Sequence, residues 1–243
     1  MVDVCELSRV PFLASVPKDE LVPWAAVAEA FEVRRRETLF RPADPMAHLL
    51  LIQEGLIVHC IEAAVGETRM TAIVDPEQVV NICCLHPMTR HTSCGVALTD
   101  ASLIRIPAER ARESLARGGT LARVLAGYSA AWATYLADEF IRATTQDVRT
   151  RAAVVLVKLQ DTLGTAEIPL SQEQIAGLIG TRRETLALTL GEMRRQKVLD
   201  TRYRRVKILN RDALMRDTRD SYPTCVRDAV PIPITGRSAV ARP

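Results

Sequence analysis

The sequence predicts an α+β fold: an N-terminal antiparallel β-roll of the jelly-roll kind, a long dimerisation helix, and a C-terminal winged helix-turn-helix. Three observations predict it. Short apolar runs broken by turn residues fill the stretch from about Val33 to Pro107. From Thr120 to Phe140 apolar residues recur at spacings of three and four. Two short amphipathic segments joined through Gly180 then precede a strongly basic hairpin.

Composition sets the frame. The chain has 243 residues, 48% hydrophobic and 25% charged, which suits one or two globular cores and disfavours a disordered chain. Aromatics are only 4%, so the core rests on Leu, Val, Ile and Ala. The start lacks a basic segment followed by an apolar one, and no apolar run is long enough to span a bilayer. A cytoplasmic protein with no membrane partner is expected, and six cysteines are not needed as staples. The textures divide the chain into a β-roll over 1–117, a helix over 118–144, a winged domain over 145–215 and an irregular tail over 216–243.

The roll is expected from four runs: His48–Glu62, Thr68–Val74, Gln78–Leu85 and Gly95–Pro107. Turns are expected at Gly55, at Gly66, at Asp75-Pro76 and at Thr99-Asp100. In the helix that follows, Leu121, Val124, Leu125, Tyr128, Trp132, Tyr135, Leu136 and Phe140 line one stripe. So much apolar surface needs cover. The same helix of a second copy is the expected cover, and burial within one chain is the alternative. A second helix is expected from Asp147 to Leu159.

The segment Leu170–Asp200 is the most informative. Ser171 with Gln174 three residues on forms a capping box, and Ile175, Leu178 and Ile179 give the inner stripe. Gly180 suits the tight turn. Thr181 with Glu184 offers a cap to a second helix, whose buried face is Leu186, Leu190 and Met193. Arg182, Arg183 and Glu184 open its outer face, where a recognition helix meets base edges: Arg can fork onto guanine and Glu can accept from cytosine. Val198–Leu199, a turn at Asp200–Tyr203 and Arg204–Leu209 make a wing. From Ser171 to Arg211 ten Lys/Arg stand against four Asp/Glu, which suits double-stranded DNA, the alternative being a solvated basic face. Ser171, Thr181, Thr185, Arg202, Arg204, Arg205 and Lys207 are the expected phosphate contacts, and phosphate contacts position rather than specify.

Over roughly residues 30–215 the chain resembles the Crp/Fnr family of transcription regulators. The likeness is strongest at IAGLIGTRRETLALTLGEM, Ile175–Met193, with Arg183, Glu184 and Thr185 matching an Arg-Glu-Thr core. Thr38–Val58 resembles the start of that family's roll. The resemblance implies a homodimer on a palindromic operator, with RNA polymerase as partner where it activates. Two departures stand out. The family's usual mid-helix Arg falls at Leu188, so the operator differs from the common palindromes or is read with more apolar contact to thymine methyls. The Gly-Glu pair of cyclic-nucleotide binders falls at Asn81 and Ile82, and their Arg-Ser pair near Arg90, His91 and Thr92. Cyclic AMP is therefore not the expected effector, although Arg90 and His91 could meet an anion.

Cys83, Cys84, His86, His91 and Cys94 lie within twelve residues. Thiolates and imidazoles suit zinc, iron or haem, and haem-sensing relatives place a ligand in this region. Ordinary buried cysteines are the plainer reading, and a thiol switch a third. An iron–sulfur cluster is not expected, because only Cys5 stands near the N-terminus. No cofactor is the default. A ligand-binding or scaffold protein using the helix pair only for packing is the alternative of another class. An enzyme is not expected: P-loop, G-x-S-x-G and H-E-x-x-H are all missing from the sequence.

Overall fold

The computed structural model describes residues 2–62, 68–76, 78–87 and 89–218. The turn expected at Gly66 and the tail beyond residue 218 lie outside the described residues.

The chain opens with helices that the sequence analysis did not assign: α1 (Val4–Arg9), a 3₁₀ turn (Pro11–Leu13) and α2 (Lys18–Ala25). They are six and eight residues long in the α segments, too short for a periodic stripe to stand out. Asp3 caps α1 by accepting the Glu6 N–H at 2.7 Å. Leu7, Phe12, Leu13, Leu21 and Trp24 are fully buried.

The strands of the roll are β1 (Glu29–Val33), β2 (Thr38–Phe40), β3 (His48–Glu54), β4 (Ile57–Glu62), β5 (Thr68–Val74), β6 (Val79–Val80), β7 (Cys94–Ala97) and β8 (Ala101–Pro107). One antiparallel sheet has the order β1-β8-β3-β6, and β2 pairs with β7. Leu50 and Ile52 of β3 face an interior made with Val33, Phe40, Ile57, Val74, Val80, Ala97 and Leu103. Gly55 turns β3 into β4 at φ 88°, and a Cβ there would overlap the Asp100 carbonyl and Ala101. The expected turns at Asp75-Pro76 and Thr99-Asp100 are present: Gln78 N–H donates to the Asp75 carbonyl, and the chain bends at Leu98 and Thr99 between β7 and β8. The run Gln78–Leu85 is corrected. Its strand ends after Val80, because Asn81 turns left-handed at φ 68° into a 3₁₀ helix over Ile82–Leu85.

Helix α3 (Ala108–Arg117) packs on β3 and β8. Trp24 Nε1 donates to its buried Ser114 Oγ at 2.9 Å. The long helix α4 runs over Gly119–Thr145. Glu20 caps it: its carboxylate accepts the N–H groups of Thr120 and Leu121 at 3.0 and 2.8 Å. The Leu121 N–H, then that of Thr120, holds the Glu20 carboxyl below its ordinary range.

The rest is α5 (Val148–Leu163), β9 (Glu167–Ile168), α6 (Gln172–Leu178), α7 (Arg183–Arg195), β10 (Leu199–Arg202), β11 (Arg205–Ile208) and α8 (Arg211–Asp217). The small sheet has the order β10-β11-β9. The described chain divides into two compact units, one of 2–57 with 74–134 and the other of 58–73 with 135–218.

Candidate nucleic-acid interface

The capping box forms as its residue types dictate. Ser171 Oγ accepts the Gln174 N–H at 3.2 Å, and Gln174 Oε1 accepts the Ser171 N–H at 2.9 Å. Ile175, Ala176 and Ile179 are buried, and Leu178 is half-buried. Gly180 then takes φ 63°. The Thr181 N–H closes back onto the Ala176 carbonyl at 2.9 Å, so the turn runs one residue further than expected. The residue capping α7 is accordingly Arg182, with no side-chain cap, and not Thr181.

Leu186, Leu190 and Met193 are fully buried, which fixes the outer face of α7. On or beside that face Arg182, Arg183, Glu184, Thr185 and Leu188 are exposed. Arg182, Arg183 and Glu184 have no ion-pair partner among the described residues. Two cations and a carboxylate thus stand unpaired at the positive end of a 13-residue helix.

The wing turn falls at Tyr203 and Arg204, not at Asp200–Tyr203, because Leu199–Arg202 pairs residue by residue with Ile208–Arg205. Arg204 takes φ 54°. The four wing cations are not equivalent. Arg205 lies 3.3 Å from Glu167, and Arg202 lies 3.4 Å from Asp200. Arg204 and Lys207 have no ion pair among the described residues. Thr185 is exposed and Thr181 half-buried. Ser171 spends its acceptor on the cap but keeps its O–H free to donate.

Arg151 of α5 holds this unit together. Its Nη1 donates to the Ala143 carbonyl in the last turn of α4 at 3.1 Å, and to the Ile179 carbonyl closing α6 at 2.7 Å. Arg149 similarly joins Asp217 of α8 and Gln196 at the end of α7.

The stripe assigned to a partner helix is corrected. Leu121, Val124, Leu125, Tyr128 and Tyr135 are buried within their own chain. Tyr128 meets the Phe12 ring edge-on at 5.2 Å, and its hydroxyl accepts the Val79 N–H at 2.8 Å. The Tyr135 hydroxyl accepts from Lys158 Nζ at 3.1 Å. Trp132 is half-buried, and Leu136 and Phe140 are exposed. Most of the large residues before Leu136 face inward because they fill their own core. The outward face is a second, smaller stripe: Ala126, Ala130, Ala133, Ala137, Phe140 and Thr144, all exposed. Their spacing alternates four and three, which is the spacing of the apolar positions in a heptad repeat. Phe140 is 71% exposed.

Comparison with known proteins agrees with this geometry. A family model for the Crp-like helix-turn-helix domain matches residues 150–217, and one for the cyclic nucleotide-binding domain matches residues 30–117. The chain thus carries a Crp-like helix-turn-helix domain and a cyclic nucleotide-binding domain. It is a DNA-binding transcription regulator of the Crp/Fnr type. It is 28% identical over 198 residues to the global nitrogen regulator of Synechococcus elongatus, covering 76% of this chain and 87% of that one. Two solved structures share the fold. FixK2 from Bradyrhizobium japonicum has a TM-score of 0.66 at 20% identity, over 78% of this chain and 96% of that one. A CRP/FNR-family transcriptional regulator from Thermus thermophilus has a TM-score of 0.63 at 20% identity, over 79% and 98%.

The positions that the resemblance assigns to a cyclic nucleotide, Asn81 and Ile82 with Arg90, His91 and Thr92, include no carboxylate to hold a ribose. Ile82 is buried and apolar and cannot hold a ribose hydroxyl. Asn81 Oδ1 is buried with no partner among the described residues. The Arg90 guanidinium donates to the Ala43 carbonyl at 2.8 Å. The His91 N–H donates to the Asp44 carbonyl, and the His91 carbonyl accepts from Ala43 N–H. The His91 ring is buried and stacks on Phe40 at 3.9 Å and 17°. Desolvation pushes its pKa below the ordinary 6.5, against a pull from Asp44. Gly95 makes room for Phe40, whose ring a Cβ would overlap. Only Thr92 of the expected effector trio is exposed without such a role.

The metal or redox set is not brought together. Cys83 and His86 are exposed, Cys84 is fully buried and Cys94 is half-buried. Burial pushes the Cys84 thiol up to about 12. Among the described residues no three His, Cys, Asp or Glu side chains converge on a metal position. No helix of the described residues is long and apolar enough to cross a membrane.

Proposed function

We propose that two copies of this regulator join along the outward seam of α4 and present their α7 helices to successive major grooves of a pseudo-palindromic operator. The observation that carries this reading is the unpaired, exposed group of Arg182, Arg183 and Glu184 on a helix whose opposite face is wholly buried. Arg183 forks onto a guanine edge, Glu184 accepts from a cytosine amino group, and Arg182 supports them. Arg204 and Lys207 take phosphates first, being unpaired; Arg202 and Arg205 must share their charge with Asp200 and Glu167. Ser171, Thr181 and Thr185 supply neutral donors to the backbone.

The protein acts in the cytoplasm, without catalysis of its own and without cyclic AMP. It touches RNA polymerase where its operator position makes it an activator. Selection of binding sites from a randomised duplex library, with sedimentation of the free protein, tests the reading. The expected result is two inverted half-sites centred about one helical turn apart, bound by a dimer, with and without cyclic AMP. A single unrepeated half-site bound by a monomer would falsify the dimer, and no selected sequence at all would remove the operator.

A further inference from the structure

The middle of the recognition helix carries a residue with no hydrogen-bonding group. Leu188 lies two positions from both Leu186 and Leu190, about 200° around the helix from each. Those two are fully buried, so Leu188 is the outward apex of α7 and is 78% exposed. One turn away on the same face stand Glu184 and Glu192, both exposed. The nearest cations on the helix, Arg183 near its start and Arg194 near its end, lie five and six positions from Leu188. The apex therefore has no donor to offer a guanine. In the major groove the apolar feature of a base pair is the 5-methyl group of a pyrimidine.

We propose that Leu188 reads a pyrimidine 5-methyl group in each operator half-site, so that apolar contact sets the specificity at that position. This rests on the DNA-binding reading above. In the free protein the Leu188 methyls are in water. Against a 5-methyl both partners lose that water, which favours the methylated base over its demethylated form. Thymine and 5-methylcytosine offer the same group, and the experiment separates them.

The operator is first selected from random duplexes with the full-length protein. Each thymine of a half-site is then replaced in turn by deoxyuridine, which removes only the methyl. One position per half-site is expected to lose affinity about fourfold. In Leu188→Ala that loss disappears, while the melting temperature stays unchanged because the side chain is exposed. At the sensitive position, a 5-methylcytosine·guanine pair that keeps more affinity than cytosine·guanine shows that the methyl alone is read. Equal weak binding of those two pairs assigns the contact to thymine. The proposal is overturned if no uracil replacement weakens the wild type, or if wild type and Leu188→Ala respond equally. Failure to select any sequence sinks the operator reading itself and is a distinct result.

Discussion

The segment from Arg90 to Gly95 and the outer face of α7 are built in opposite ways. In the first, hydrogen-bonding capacity is largely spent at home. Arg90 holds the Ala43 carbonyl, the His91 backbone holds the segment from Ala43 to Asp44, and Phe40 covers the His91 ring. In the second, Arg182, Arg183 and Glu184 are left without partners, and Leu188 is left in water. A surface kept unsatisfied gains by binding, whereas one already satisfied must break contacts first. The three most exposed large hydrophobic residues described, Tyr203, Leu188 and Phe140, make the same point. They stand at the tip of the basic hairpin, on the outer face of α7 and on the outward stripe of α4.

That contrast can be broken at several points. The largest effect is expected at the seam. Ala133→Glu places a charge where two helices would meet, and should weaken the dimer roughly a hundredfold or more. Sedimentation equilibrium measures this, and helix content should not change, because Ala133 is exposed. A dimer of unchanged affinity would place the contact elsewhere.

Next comes Arg183→Ala. It should cost about tenfold to a hundredfold at the selected operator and relax one base position, with little change in melting temperature. A smaller, uniform loss on all DNA is expected for Arg204→Ala, with the salt slope reduced by about 0.9 for each subunit bound. Arg205→Ala should lose less, since Glu167 already shares its charge. Titrations at several salt concentrations would rank them, and equal losses would deny that pairing matters.

The smallest effect sharpens the closed region. The folded His91 pKa is lowered, so the unfolded chain takes up the proton first. Stability is then full above the ordinary 6.5 and is lost as pH falls from 6.5 through the lowered folded value. His91→Phe should keep the stack on Phe40 and remove that part of the acid loss. Melting curves from pH 7.5 to 5 check it, and an unchanged pH profile would show that His91 does not titrate on unfolding.

The local elements were legible because their causes are local. Ser171 and Gln174 cap each other across three residues, and Gly180 supplies a conformation that other residues resist. The boundaries that moved had partners elsewhere. Thr181 was diverted to the Ala176 carbonyl, and the wing turn was set by the pairing of Leu199 with Ile208. The strand expected through Cys84 broke at Asn81, whose left-handed turn no hydrophobic pattern records. The Glu20 cap on α4 joins residues a hundred positions apart, so no spacing rule could find it.

Helix α4 shows where each kind of information ends. Periodicity alone established that a long helix lies between the roll and the winged domain, because spacings of three and four need only the chain's own geometry. Residue types alone also located the helix-turn-helix and the arginines and glutamate of its outer face. Which face of α4 looks outward was decided by tertiary structure. Two apolar stripes compete on that helix, and most of the larger side chains fill the core of their own chain, where close packing rewards volume, while Leu136, Phe140 and Ile141 stay exposed. The small residues remain outside, where another backbone can come close.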